Sequence, residues 1–96
     1  MDESKLNAVR SYLKREFAGA TIDEKYDFDR GAQTFRVRID KDLFLVKVGE
    51  EFLSDNNVAA IQAHLEKWQI ADLLRENKDL GIFVGNNAPI AFSRLA

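Results

Sequence analysis

Residues Ser54–Asn77, SDNNVAAIQAHLEKWQIADLLREN, decide how the rest of this 96-residue chain folds. No other stretch without glycine or proline repeats apolar residues at helical spacing for so long. One helical face carries apolar residues at steps of three, four and three residues. These residues are Val58, Ile61, Leu65 and Trp68. Ser54 or Asp55 is predicted to cap the N-terminus of this helix, and Gly81 is predicted to end it.

A second apolar stripe follows the first on another side of the same stretch. Its members are Ile70, Leu73 and Leu74, which lie roughly 120° to 180° around the helix cylinder from the first stripe. Two interpretations stay open: the helix breaks near Trp68, or it is continuous and buries two faces against different surfaces. The C-terminal segment is expected to cover the second stripe, and a second copy of the chain is the alternative.

The part of the chain before this stretch predicts one helix and three strands. Apolar residues at helical spacing predict a helix over residues 2–18 that Gly19 ends. Three later segments alternate apolar and polar side chains, which is typical of half-buried strands. These segments are residues 21–28, 34–40 and 43–48.

The alternation of the three strands also predicts how they pair. With Asp27 opposite Thr34 and Asp40 opposite Leu43, one apolar face runs across an antiparallel meander. Glu24 is the one charged residue on that face. Since an inward-pointing charge on an outer strand discourages pairing with other chains, the first strand is predicted to be an edge.

The C-terminal residues predict a short strand at Ile82–Val84. Ile90–Phe92 is predicted to return as a second strand of a hairpin, and a short helix after Pro89 is the alternative. The fold class is therefore α+β: a helix, a three-stranded antiparallel β-meander, a long helix, and a short C-terminal strand or hairpin. Both helices are expected to pack on one face of the sheet.

The composition predicts a single domain over residues 1–96 in the cytoplasm. Apolar residues make up 46% of the chain, which suffices for a core. The formal net charge of −2 gives no long-range attraction to nucleic acid or to an anionic membrane. The chain has no cysteine, so disulfides, thiolate metal sites and cysteine nucleophiles are excluded. A charged N-terminus and the lack of a long apolar run predict neither a signal peptide nor a membrane span.

No residue pattern in the chain indicates an enzyme. Phosphate-binding loops, dinucleotide-binding glycine patterns and nucleophile elbows are all missing from the sequence. His64 is the only histidine, and its neighbours at helical spacing, Ala60 and Trp68, cannot activate it. We therefore expect no catalytic residues, no cofactor and no metal site.

The outer face of the meander offers one candidate contact surface. Three cationic residues, Arg36, Arg38 and Lys47, lie there beside Leu43 and Leu45, with Lys25 on the neighbouring strand. Asp23, Asp27 and Asp40 on the same face would neutralise much of this charge. The predicted interaction surface combines the outer face with the second helical stripe. It comprises Arg36, Arg38, Leu43, Leu45, Lys47, Ile70, Leu73 and Leu74.

These features favour a small non-enzymatic module that binds a protein, with a second copy of itself as one candidate partner. The element order resembles that of the small acidic secretion chaperones of bacteria, without a shared motif, and implies an adaptor or chaperone-like role. Nucleic-acid binding through Arg36, Arg38 and Lys47 is the alternative. It lacks the basic helix start that double-stranded RNA-binding domains use, and the outer face is expected to carry no aromatic residue for stacking bases.

Overall fold

A five-stranded sheet covered by helices on one face forms the fold of this protein. The computed structural model describes residues 2–94. The helices are α1 Glu3–Glu16, α2 Glu50–Asp55, α3 Val58–Lys67 and α4 Ile70–Glu76, and the strands are β1 Thr21–Asp27, β2 Ala32–Ile39, β3 Asp42–Gly49, β4 Leu80–Val84 and β5 Ile90–Ser93. The strand order is β1-β2-β3-β4-β5. The predicted α+β class and the C-terminal hairpin are confirmed.

The three-stranded meander has the predicted faces but a different register. Asp27 pairs with Ala32 rather than with Thr34, and Ile39 pairs with Asp42. Both registers differ from the prediction by two residues, so every side chain keeps its face. The turns explain the shift. Gly31 and Asp40 adopt positive φ angles of 57° and 54°, which lets both turns close earlier in the chain than predicted.

The single helix predicted over residues 54–77 is three helices. Ser54 and Asp55 end α2, and the cap of α3 is Asn57, whose side chain accepts a 2.8 Å hydrogen bond from the backbone N–H of Ala60. Gly81 does not end a helix but lies inside β4. The capping prediction was wrong because Glu50–Asp55 forms a helix of its own directly after β3.

A break at Gln69 decides between the two interpretations of the helical stripes. Gln69 has the left-handed angles φ 51° and ψ 52°, and it separates α3 from α4. Ile61 and Leu65 before the break and Ile70 and Leu74 after it are all buried in one core. The break therefore turns both stripes towards the same interior, which a straight helix could not do.

Helices and strands share a core that lies between the helix layer and the inner face of the sheet. Strands β2, β3 and β4 contribute fully buried apolar side chains, among them Phe35, Val37 and Ile82. The chain between β3 and β4 holds α2, α3 and α4, so it crosses over and makes β4 parallel to β3. None of the helices in the described part of the chain has the length and hydropathy needed to span a bilayer.

Glu24 lies on edge strand β1 and points towards the helix layer, as predicted. Its carboxylate pairs with the guanidinium of Arg10 on α1, which also bonds Glu3 at 2.6 Å. The two carboxylates raise the pKa of Arg10. The ion pair with Arg10 neutralises the inward charge of Glu24 within the chain. An inward charge on an edge strand disfavours pairing of β1 with a strand of another chain.

Candidate interaction site on the outer face of the sheet

The outer face of the sheet changes from charged to apolar as the strands are crossed. One cross-strand row contains, from β1 to β5, Asp23, Arg36, Leu45, Gly81 and Phe92. The next row contains Lys25, Thr34, Lys47, Phe83 and Ile90 in the same order. Because side chains in register point to the same side of a sheet, each row forms a strip across the face. Charges lie at the β1 end and apolar groups at the β5 end.

Lys47 is committed to contacts within the sheet. Its Nζ donates a 2.6 Å hydrogen bond to Asp27 Oδ2 and a 3.1 Å bond to Thr34 Oγ1. Asp27 also accepts from the backbone N–H groups of Asp29 and Arg30, which shapes the β1–β2 turn. The hydrogen bond from Lys47 holds the pKa of Asp27 below its ordinary value. Lys47 therefore stabilises the turn through Asp27, and its ammonium group is already paired within the chain.

The two arginines of β2 differ in their surroundings. Asp23 pairs in register with Arg36, but its carboxylate lies 3.9 Å from Arg38 Nε on the diagonal. Arg36 is exposed, and its guanidinium makes no ion pair within residues 2–94. Arg36, like the exposed Lys25 on β1, is thus available to an incoming anion.

Three large apolar side chains on or beside this face are exposed. Large apolar side chains that remain exposed in the described part of the chain are Phe28 at 87%, Ile90 at 63% and Leu43 at 37%. Leu43 and Ile90 point outwards from β3 and β5, and Phe28 lies in the β1–β2 turn against Tyr26 at a ring-centroid distance of 4.7 Å. Leu43 and Ile90 thus lie on the outer face, and Phe28 lies at its edge in the turn.

Phe92 forms a wall at the β5 side of this face. Its ring covers Gly81 so closely that a Cβ atom there would lie 2.2 Å from the ring. Glycine is therefore required for this packing. The guanidinium carbon of Arg30 lies 5.4 Å from the ring centroid of Phe92, a cation–π contact that reaches over from the β1–β2 turn. Arg94 supports the wall by donating to the backbone carbonyls of Leu43 and Leu80.

Between the β1–β2 turn and β5 lies an open cleft of about 900 Å³. Thr34, Arg36 and Leu45 of the outer face form its floor, and Phe28 and Phe92 also line it. Five cationic side chains line the cleft against two carboxylates. The cationic ones are Lys25, Arg30, Arg36, Lys47 and Arg94, and the carboxylates are Asp27 and Asp29. The cleft can hold an anionic group beside an apolar one.

The eight residues of the predicted interaction surface do not form one site. Arg36, Arg38, Leu43, Leu45 and Lys47 share the outer face. By contrast Ile70 and Leu74 are buried in the core on the other side of the sheet, and Leu73 is half-buried against it. The helical half of the predicted surface was wrong because α4 packs on β3 and β4 of the same chain. The C-terminal segment, predicted to cover this stripe, contributes β4, and β3 of the meander shares the contact.

Sequence reasoning missed the aromatic part of the site. The outer face was expected to carry no aromatic residue, yet Phe83 and Phe92 point outwards from the C-terminal hairpin. The meander alone does lack them. Alternation in the segment Ile90–Phe92 places Ile90 and Phe92 on one face, but only the parallel pairing of β4 with β3 shows which face this is.

Residues with catalytic or metal-binding potential are not gathered in this cleft. His64 lies in the helix layer, where its ring stacks on Trp68 at 4.7 Å. Within residues 2–94 no group of three or more His, Asp or Glu side chains is arranged to hold a metal ion. The arrangement brings together an unpaired guanidinium, an aromatic wall and exposed aliphatic groups.

Comparison of the chain with protein-family models, with curated proteins and with solved structures gives no match. The similarity of element order to the secretion chaperones therefore has no support beyond topology. The function has to be inferred from the geometry of the outer face.

Proposed function

We propose that this chain is a non-enzymatic protein-interaction module and that the outer face of its sheet is the contact surface. The observation that carries this proposal is the position of Phe28, Leu43 and Ile90. Phe28 and Leu43 line one cleft, and Ile90 points outwards from the same face, in the cross-strand row that contains Lys47 of that cleft, so the three are not scattered over the surface. Scattered apolar side chains need no explanation, whereas a grouped patch rimmed by charge is typical of a binding site.

The composition of the face suits protein recognition. Aromatic and arginine side chains supply most of the binding energy at protein interfaces, and they are most effective beside apolar neighbours that exclude water. Phe92, Arg30 and Arg36 provide such groups, and Leu43, Leu45 and Ile90 provide the neighbours. A partner that covers this face would remove the exposed apolar area from water.

A random peptide library displayed on phage, selected on the immobilised protein, tests this proposal. Binders are expected, and Leu43→Asp or Ile90→Asp should weaken them by about tenfold or more, the equivalent of about 1.4 kcal/mol. Ala59→Asp is the control, because Ala59 is an exposed residue of α3 in the helix layer. A library that yields no binders, or binders equally affected by all three substitutions, would contradict the proposal.

Single-stranded nucleic acid is the second candidate. Aromatic side chains on a sheet can stack bases while nearby cations contact phosphates. Phe28 and Phe92 together with Lys25 and Arg36 provide both elements around the cleft. Asp27 and Asp29 in the same cleft oppose phosphates, which favours the protein partner. A labelled oligothymidylate is expected to bind no more tightly than about 10⁻⁶ M at about 150 mM salt.

A further inference from the structure

The charge of the cleft is opposite to that of the whole chain. The protein carries a formal net charge of −2, yet cationic side chains in the cleft outnumber carboxylates by five to two. Opposite local charge steers an anionic group to the cleft and penalises a cationic one. The occupant of this site is therefore expected to be acidic.

Contacts within the chain determine which of these cations can bind a ligand. Lys47 is engaged by Asp27, and Arg94 is engaged by backbone carbonyls. Arg30 lies over the ring of Phe92. Arg36 on the floor and Lys25 on β1 are both exposed and make no ion pair among the described residues, and Asp23 is directed towards Arg38. Of the two, only Arg36 carries a guanidinium. A free guanidinium can bind a carboxylate through two parallel hydrogen bonds.

An apolar contact lies at a fixed distance from Arg36. Arg36 and Phe92 stand in the same cross-strand row, with Leu45 and Gly81 between them. Three steps between neighbouring strands of about 4.8 Å place the two positions about 14 Å apart. An extended chain rises about 3.3 Å per residue, so residues i and i+4 lie about 13 Å apart and point to the same side.

We propose that the cleft binds an extended acidic segment of a partner protein that crosses the strands of the sheet. A Glu or Asp side chain of the segment contacts Arg36, and an apolar side chain four residues away packs against Phe92. The inference rests on the proposed function and adds the charge and spacing of the partner segment. A spacing of three would place the two side chains on opposite sides of the extended segment.

Fluorescence anisotropy with three labelled peptides tests this inference. The first peptide carries Glu and Phe four residues apart in a serine and threonine background. The second has Gln in place of that Glu, and the third has Glu and Phe three residues apart. The first peptide should bind about tenfold more tightly than either of the others. The advantage of Glu over Gln should shrink as salt is added, because the contact is electrostatic.

Two variants of β2 test whether the tighter binding of the Glu peptide depends on Arg36. Arg36→Gln should abolish the preference for Glu over Gln, whereas Arg38→Gln should leave it unchanged. The two residues share a strand, a face and an exposed position, and they differ in that Arg38 lies near Asp23. Thermal melts of both variants, expected to match the parent protein, show that folding is intact.

The other outcomes separate this inference from the proposed function. If the Glu and Gln peptides bind equally, or if both arginine variants lose the preference for Glu to the same extent, the inference of an acidic partner segment is wrong. The interaction module would then survive if phage-selected peptides still require Leu43 and Ile90. Tighter binding of oligothymidylate than of the Glu peptide would overturn the inference in favour of nucleic acid. If none of the three peptides binds and the library yields no binder, both the inference and the proposed function are contradicted.

Discussion

The hydroxyl of Tyr12 accepts a 3.0 Å hydrogen bond from the backbone N–H of Ala71, fifty-nine residues later in the chain. Ala71 lies in the first turn of α4, where backbone N–H groups have no partner within the helix. Gln69, in its left-handed conformation, provides no side-chain cap. A tyrosine of α1 therefore takes over the capping role at the break that turns both apolar stripes towards the core.

Tyr12→Phe removes this acceptor and leaves the N–H of Ala71 buried without a partner. The free energy of unfolding should fall by about 1–3 kcal/mol, because an unsatisfied buried donor keeps its desolvation cost. Chemical denaturation measures the change. Tyr26→Phe is the matched control, since the hydroxyl of Tyr26 donates to Glu50 at an exposed position where water can replace it. Equal losses in the two variants would contradict the capping role.

The fold was largely predictable because side-chain alternation and helical spacing report which face is buried. Val37 and Phe35 were placed inwards correctly even though the register was wrong by two residues. Parity is insensitive to such a shift, whereas the exact register depends on turn geometry. The left-handed conformation of Asp40 has no strong signal in the sequence, because aspartate adopts it in only a minority of cases.

The candidate site was predictable only in the part that the meander supplies, which includes Leu43 and Leu45 as well as the cations. Arg36, Arg38 and Lys47 follow from alternation within the meander, which is a local pattern. Phe92 depends on the parallel pairing of β4 with β3, a contact between segments that are distant in sequence. No local pattern determines which strand of a meander a later strand will join. The aromatic wall, which bears on both protein and nucleic-acid binding, therefore has no signal in the local sequence.

The ion pair between Asp27 and Lys47 makes stability depend on pH. The pKa of Asp27 is lowered in the folded protein, so its stabilising effect is complete above the ordinary aspartate pKa of about 3.9 and is lost as pH falls below it. Asp27→Asn should lower the melting temperature near neutral pH. The difference from the parent protein should shrink at a pH of about 2.

Melting curves at the two pH values check this prediction. Asp29→Asn is the control, because Asp29 is exposed and its carboxylate makes no ion pair in residues 2–94. It should change the melting temperature little at either pH. A difference between parent and Asp27→Asn that persists unchanged into acid would show that the ionised carboxylate is not what stabilises the turn.

The imidazole ring of His64 has one buried nitrogen, Nδ1. Its Nδ1 has no hydrogen-bond partner within the described residues, while its ring stacks on Trp68 and contacts Phe52 edge-on. His64→Phe keeps an aromatic ring for this stacking and removes the desolvated nitrogen. The free energy of unfolding should rise by about 1 kcal/mol, which for a chain of this size raises the melting temperature by about 4–8 °C.

His64→Ala serves as the comparison, because it removes both the nitrogen and the stacked ring. This variant should melt below the parent protein, since aromatic pairs contribute about 0.5–1.5 kcal/mol beyond area burial. A His64→Phe protein that also melts below the parent would indicate that Nδ1 has a partner in solution, such as a bound water molecule.

The pair of Arg10 and Glu24 is expected to protect the edge of the sheet more than it stabilises the fold. Both side chains are about one-fifth exposed, so each loses hydration on folding. Arg10→Met or Glu24→Leu alone should destabilise the protein by about 1–3 kcal/mol, because one charge stays behind without its main partner. The double variant should recover most of this loss, since apolar residues can replace a buried ion pair without cost.

The double variant, Arg10→Met with Glu24→Leu, tests whether the inward charge protects the edge of the sheet. Without an inward charge on β1, two copies can pair edge to edge, so light scattering should show a mass that rises with protein concentration. Asp23→Leu with Arg38→Met is the matched control, because Asp23 lies beside Glu24 on β1 while its pair with Arg38 points outwards and is 59% exposed at each residue. The control adds as much apolar surface without altering the inner face, and its mass should stay that of a single chain. If both double variants associate alike, added surface hydrophobicity explains the effect and Glu24 has no special role at the edge.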